Sequence, residues 1–371
     1  MRRPLLSAAL IVRNEERFLE GCLRSLAGRV DEIVVVDTGS TDRSRDIARD
    51  LGAQVHEVSW NDDFAAARNA AIEFARGDWI LYIDADERIV EFERPGVEML
   101  LSDASCACCT VLFRPVRGYT RYREHRLFRN RPDLRFRGVI HETLLPALEE
   151  IASREHVRIG RSAVAIDHLG YDGDLAQKHH RNLPLLQVRL RHDPAHVYSW
   201  CHLGTTLLAL GDAVGAEEAW SQGIALTRTL ADGDLANSLP YLHQANLMLD
   251  QGRDAFALLE EACRRFPDNH ALAWLRGRSL MNAQAHAAAM PIFAALAAID
   301  PAQLQDGVMA FDASIFGANA HAAAGLCAFR LGRYAESEAH YACAEHAAPA
   351  DPAFRAKRML AHARAQPAAG A

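Results

Sequence analysis

The sequence predicts two domains of different class, an α/β domain followed by an all-α array of helical hairpins. Three observations carry that prediction. Short β-branched runs alternate with amphipathic helical stretches over residues 1–90, the composition shifts to Ala, Leu and His after Asp174, and pairs of small residues recur seven apart in the helical half. The 371 residues suffice for two domains and a large buried core.

Residues 5–12 read as a first strand and residues 15–27 as a helix whose Phe18, Leu19, Cys22, Leu23 and Leu26 share one face. Residues 31–37 form a second strand, and its Ile33-Val34-Val35-Val36 run is apolar on both faces, which predicts a central strand covered on both sides. Ser40-Thr41-Asp42 offers capping side chains to a helix that passes Ile47 and stops at Gly52. Residues 53–58 are a third strand. Residues 61–63 cap the next helix, which ends at Gly77, and residues 79–83 form a fourth strand that runs into Asp84-Ala85-Asp86. Between Cys106 and Ile166 the helical period fades, and short strand-like pieces separated by Arg-, Gly- and Pro-rich loops extend the same domain.

In the helical half, Gly204 and Gly211, Ala245 and Gly252, Gly277 and Gln284, and Gly325 and Gly332 each open a hairpin. Pro267 and Pro301 stand 34 residues apart, the tetratricopeptide period. About four such repeats stack into a continuous helical core with a concave face. The predicted boundaries are an α/β domain over 1–172, a linker helix over 173–195, repeats over 196–360 and a disordered tail over 361–371.

With 48 acidic against 41 basic side chains and a net charge of −7, bulk electrostatics argue against a dedicated nucleic-acid binder. The apolar run at residues 5–12 is eight residues long, short of the ~20 that cross a bilayer, and no cleavage-like signal follows it, so the expectation is a cytosolic protein without a transmembrane segment. Cys22, Cys201, Cys263, Cys327 and Cys343 fall singly on apolar helix faces and are expected to be buried reduced thiols. Cys106, Cys108 and Cys109 contain one C-x-x-C, but no second pair stands at zinc-site spacing.

The chemistry concentrates at strand ends. Asp84 and Asp86, separated by one small residue, suit a hard divalent cation that takes one or two carboxylates plus substrate phosphates. In open α/β sheets ligands bind beyond the carboxyl ends of the strands, and Asp37 ends the second strand on that same edge. A carboxylate such as Asp37 can bond a base or ribose, and Arg68 can pair with a phosphate in forked geometry. Read singly, Asp37 is a turn-former before Thr38-Gly39 and Arg68 a solvated helix face.

These residues also carry a resemblance. Leu10-Ile11-Val12-Arg13-Asn14-Glu15-Glu16, the stretch from Asp31 through Asp37-Thr38-Gly39-Ser40-Thr41-Asp42, Arg68-Asn69 and Trp79 to Glu87 together resemble the nucleotide-sugar-binding half of a family 2 glycosyltransferase of GT-A fold. Leu127-Phe128-Arg129-Asn130, Phe136-Arg137-Gly138-Val139-Ile140-His141-Glu142 and Asp167-His168-Leu169-Gly170-Tyr171 are similar to a bacterial subgroup that carries tetratricopeptide repeats behind the catalytic domain, a subgroup that includes the sublancin-type peptide S-glycosyltransferases. The resemblance implies that Asp37 contacts the nucleobase, Arg68 the nucleotide and Asp84 the ribose, with Val12, Arg13, Glu15 and Ala85 completing the donor site. It implies that Asp86 and His168 hold Mn²⁺ or Mg²⁺ and that Glu142 is the catalytic carboxylate; beside it, His141 could exchange roles with Glu142 or with His168.

The implied activity is metal-dependent, inverting transfer of a sugar from a nucleoside diphosphate donor, a UDP-sugar foremost, to an acceptor hydroxyl or thiol. The repeats would present a peptide or protein acceptor or hold two copies together as a homodimer. The alternative is a non-catalytic tetratricopeptide scaffold with a vestigial sugar-nucleotide domain. Nine arginines from Arg114 to Arg137, interleaved with Tyr119, Tyr122, Phe128 and Phe136, suit substrate phosphates and acceptor contacts, with nucleic acid set aside on net charge and a solvated loop as the bland reading.

Overall fold

The computed structural model describes residues 5–115, 118–170 and 175–366. They divide into two compact units, residues 1–117 with 121–194 and 306–308, and residues 118–120 with 195–305 and 309–371.

The first unit is built on an eight-stranded sheet: β1 (Leu6–Val12), β2 (Glu32–Asp37), β3 (Gln54–Glu57), β4 (Trp79–Tyr82), β5 (Glu87–Glu91), β6 (Cys106–Pro115), β7 (Tyr122–Arg129) and β8 (Arg158–His168). Their spatial order is β3-β2-β1-β4-β7-β6-β8-β5. β1 to β4 run parallel, whereas β7 is antiparallel to both β4 and β6, and β5 is antiparallel to β8. β2 therefore lies second from an edge and is not central, which corrects the expectation drawn from its apolar run. The run is apolar because both faces are covered all the same. Val35 packs into one core with α1 (Glu16–Leu26), α2 (Ser44–Asp50) and α4 (Arg94–Leu101), while Val34 and Val36 pack into the other with α3 (Phe64–Phe74) and α5 (Leu145–Glu155).

The predicted helix starts differ in detail. Asp63 caps α3 by accepting from Ala66 N at 2.9 Å. α2 starts at Ser44, later than the Ser40-Thr41-Asp42 capping run suggests, yet Asp42 Oδ1 still accepts from Ser44 N. Two helices, α4 and α5, and the strand β5 went unassigned in the sequence; α5 lies in the stretch read as strands and loops. α6 (Leu175–His192) closes the unit.

The second unit is helical: α7 (Val197–Ala209), α8 (Ala213–Thr227), α9 (Leu239–Asp250), α10 (Phe256–Arg265), α11 (His270–Asn282), α12 (His286–Ala297), α13 (Gly317–Arg330), α14 (Tyr334–Ala347) and α15 (Pro352–Ala365). The residue pairs seven apart fall where a hairpin needs them. Gly211, Gly252, Gln284 and Gly332 turn the chain between paired helices with φ of +90°, +71°, +59° and +73°. The earlier member of each pair lets the helices approach: a Cβ on Gly204 would lie 2.3 Å from Trp220 Nε1, and one on Gly277 2.5 Å from the Phe293 ring. α15 corrects the disordered tail expected from residue 361, because the helix continues through Ala365; residues 367–371 lie outside the described residues. Cys22, Cys201 and Cys327 are buried, but Cys343 is exposed and Cys263 half-buried, contrary to the uniform expectation. Among the described residues no helix is long and apolar enough to cross a membrane.

Candidate active site at the carboxyl edge of the sheet

Backbone register assembles the site before any side chain is considered. Val12 and Asp37 are partners at the ends of β1 and β2, and the chain leaves β4 through Asp84, Ala85 and Asp86 directly into β5. β5 pairs with β8 so that Glu87 faces His168, and Leu169 N donates to Asp86 O at 2.9 Å. Residues 82 positions apart thus meet: His168 Nε2 lies 3.2 Å from Asp86 Oδ2. Of the two histidines weighed from the sequence, His168 is the one that faces Asp86; His141 takes a left-handed backbone, φ +52°, beside Glu142.

The loops after β1 and β2 are tied to one another. Asn14 N donates to Ser40 Oγ, Glu15 N to Ser44 Oγ and Glu16 N to Asp42 Oδ2, while Thr41 N donates back to Asn14 Oδ1. Asp37 is buried. Its Oδ1 accepts from Gly39 N and Ser40 N at 3.1 and 3.0 Å, and its buried Oδ2 has no hydrogen-bond partner. A buried carboxylate oxygen left unsatisfied is costly and marks a place where a ligand N–H or O–H is wanted.

Arg68 is not the solvated residue that a helix surface suggests. Its side chain is 10% exposed, and its guanidinium is shared between Glu142 Oε1 at 2.5 Å and Asp84 Oδ1 at 2.9 Å, leaving the buried Nη1 without a partner. Asp84 is approached on its other oxygen by Arg126 at 3.6 Å, and Arg126 also forms a bidentate pair with the buried Glu87. Tyr82 carries both guanidinium groups against its ring, at 4.8 and 4.4 Å from the centroid. Partial burial opposes ionisation of Asp84, but Arg68 and then Arg126 outweigh it and hold its carboxyl below the usual range. The two carboxylates of the Asp84-Ala85-Asp86 turn therefore differ. Asp84 is neutralised by arginines, and Asp86 faces an imidazole.

Sequence reasoning missed Arg126, Glu87 and Tyr82. The available signal was a pair of opposite charges set inside apolar strand pieces, Glu87 ahead of Ile89 and Arg126 ahead of Leu127-Phe128. Most of the arginine-rich stretch serves the fold: Arg114, Arg131 and Arg137 pair with Asp167, Asp133 and Glu150, and Arg129 and Arg135 donate to main-chain carbonyls. Arg117 lies outside the described residues.

The residues around Asp86 fit a divalent cation. A carboxylate oxygen and an imidazole nitrogen converge, and a Cβ on Gly170 would lie 1.5 Å from Asp86 Oδ2, so only glycine leaves that carboxylate its position. Burial first, and then the charges of Asp86, Asp84 and Asp42, push Glu15 up to about 7; the electrostatic part is one that a cation would relieve. Burial pulls His168 down, yet its bond to Asp86 and the charges of Asp86, Glu87 and Asp84 outweigh that and raise it. Among the described residues no group of three His, Cys, Asp or Glu is assembled, so a cation at Asp86 and His168 would draw its remaining ligands from phosphate or water.

A mixed sheet with covered faces and an acidic site at its carboxyl edge is the GT-A architecture, and residues 7–147 match the model of the family described as Glycosyl transferase family 2. By that match residues 7–147 form a family 2 glycosyltransferase domain, and tetratricopeptide-like helices follow in the chain. It is 38% identical over 226 residues to a TPR repeat-containing protein of Synechococcus elongatus, covering 59% of this chain and 56% of that protein. To the SPbeta prophage-derived glycosyltransferase SunS of Bacillus subtilis it is 29% identical over 201 residues, covering 52% and 46%. The chain spans about half the length of these curated relatives. Glucosyl-3-phosphoglycerate synthase of Mycobacterium tuberculosis, solved in complex with Mn²⁺, UDP and glucosyl-3-phosphoglycerate, superposes with a TM-score of 0.36 at 18% identity over 50% of this chain and 78% of that one.

Proposed function

We propose that the protein is an inverting, metal-dependent glycosyltransferase that moves a sugar from a nucleoside diphosphate, a UDP-sugar foremost, to an acceptor hydroxyl or thiol, on a polypeptide engaged by the repeats. The observation that carries the reading is the unpartnered, buried Oδ2 of Asp37, on the strand edge that also bears Asp84 and Asp86. It can only accept, so the donor must present an N–H or O–H there, as the imide of uracil does.

In this reading Asp37 orients the base, with Val12, Arg13, Glu15 and Ala85 lining the nucleotide. Arg68 bonds it through Nη1, and Asp84, steadied by Arg68 and Arg126, meets the ribose. Asp86 and His168 would hold Mn²⁺ or Mg²⁺, which supplies Lewis-acid stabilisation of the departing diphosphate when bound. Glu142 takes the acceptor's proton as the nucleophile attacks, and one in-line displacement inverts the anomeric carbon. Arg68 holds Glu142 in place by engaging Oε1.

Thermal unfolding against UDP, GDP, dTDP and CMP, each with and without Mn²⁺, tests the donor site, because a ligand of the native state raises the melting temperature. A Mn²⁺-dependent rise with UDP that disappears in Asp86→Ala is expected; no rise with any nucleotide at millimolar concentration returns the scaffold reading. Glu142→Gln should bind donor as the wild type does while its turnover falls by ~10²–10⁴. Transfer that survives deletion of the residues after 190 would refute acceptor recognition by the repeats.

A further inference from the structure

The helical unit holds two histidines whose rings face each other. His321 on α13 and His340 on α14 bring their Nδ1 atoms to 3.3 Å, with ring centroids 5.6 Å apart and the planes tilted by 44°. The helix pairing fixes this approach. Gly325, one turn beyond His321, admits α14 so closely that a Cβ there would lie 3.2 Å from the Tyr341 ring and 3.3 Å from the Cβ of His340. Ser337 Oγ donates to Gly325 O at 2.8 Å in the same buried layer.

The separation admits two uses of the pair. One ring can donate Nδ1–H to the other across 3.3 Å, and the same spacing suits two ligands of one metal ion. Two nitrogens on one tetrahedral zinc, each ~2.0–2.1 Å from the metal, stand ~3.3–3.4 Å apart. Cis positions of a square-planar or octahedral ion at similar bond lengths would bring them to ~2.9 Å. Burial holds His321 below its ordinary value, helped by the neighbouring His340, and burial likewise lowers His340 against the opposing pull of Glu336. Neutral imidazoles carry the lone pairs that a metal takes.

We propose that His321 and His340 form a zinc site that clasps α13 to α14, with water in the remaining positions. It is separate from Asp86 and His168. Glu336, four residues before His340 on α14, adds negative charge on the same helix face. With two protein ligands the site is open and exchangeable, unlike a closed four-ligand structural zinc.

The test uses the full chain, stripped of metal and titrated with Zn²⁺ while binding stoichiometry and melting temperature are followed in wild type, His321→Ala, His340→Ala and Asp86→Asn. Wild type should bind one equivalent more than His321→Ala or His340→Ala and should melt higher with zinc than either, and Asp86→Asn should keep the slowed amide exchange across α13 and α14 that the two histidine variants lose. Equal stoichiometry and equal shifts in folded wild type and both histidine variants would overturn the site. Amide exchange of the wild type needs no variant: zinc should slow exchange across α13 and α14, and unchanged exchange there would overturn the proposal by itself.

Discussion

The α/β unit encloses five charged side chains, Glu32, Asp37, Arg68, Glu87 and Arg126, whereas the buried polar side chains described in the helical unit are hydroxyls, one amide and one imidazole. Burying a charge is expensive unless it is paired and bonded, and every one of the five is either fully engaged or, as with Asp37 and Arg68, left with one unsatisfied atom at the strand edge. The helical unit instead gains its stability from close approach, small residues on one helix meeting large rings on the next. Expense without an obvious structural return marks the unit in which chemistry is to be sought.

That contrast can be broken most severely at Arg126. Its replacement by Ala leaves Glu87, 1% exposed, without its bidentate partner and should cost ~3–5 kcal/mol, measured by urea unfolding of the full chain, with donor binding weakened as Asp84 keeps Arg68 but loses its second arginine. A loss under ~1 kcal/mol would mean that the buried network is not what holds the site. In the helical unit the corresponding injury is steric. Gly277→Ala drives a Cβ into the fully buried Phe293 ring and should cost ~1–3 kcal/mol in melting of the repeats while nucleotide binding is unchanged.

A smaller effect sharpens the repeat pattern. Gln284 stands where the other three hairpins have glycine, in a left-handed conformation that costs an L-residue ~1–2 kcal/mol. Gln284→Gly should stabilise the chain by about 0.5 kcal/mol, the relief being offset in part by glycine's greater chain entropy, and a fall in melting temperature would contradict that account. The smallest effect is electrostatic and exposed. Bonds from Arg228, against the opposing effect of partial burial, and from Tyr241 hold Glu261 down to about 2. A depressed carboxyl contributes stability above its unfolded value of 4.5 and loses it as pH falls from there toward 2, and solvent screening keeps the loss under ~1 kcal/mol. Glu261→Gln should flatten that part of the stability profile.

The parallel half of the sheet was legible because each strand is a short apolar run punctuated by caps and glycines, and Asp37, Asp84 and Asp86 could be read as strand-end residues from that alone. The second half resisted for a physical reason. β7 carries Arg123, Arg126 and Arg129 within eight residues, which looks like a solvated loop unless the partners of those charges are known, and, Glu124 beside Arg126 apart, partners of all three lie far away in sequence on β5, β6 and β8. Read singly, Arg68 looks solvated for the same reason, its partners being 16 and 74 residues distant. α5 was hidden by Pro146 at its start and by flanking arginines, although its Ala147, Leu148 and Ile151 form a buried face.

The reciprocal bonds between the loops after β1 and β2 have a kinetic meaning. Asn14, Glu15 and Glu16 are anchored to Ser40, Ser44 and Asp42 through main-chain donors, so the wall that would meet a nucleoside is ordered before anything arrives. Little conformational freedom remains there to be surrendered on binding, and association at that wall need not wait for a loop to find its shape. Cutting one stitch, as in Ser44→Ala, should slow capture of a nucleotide more than it weakens the complex once formed.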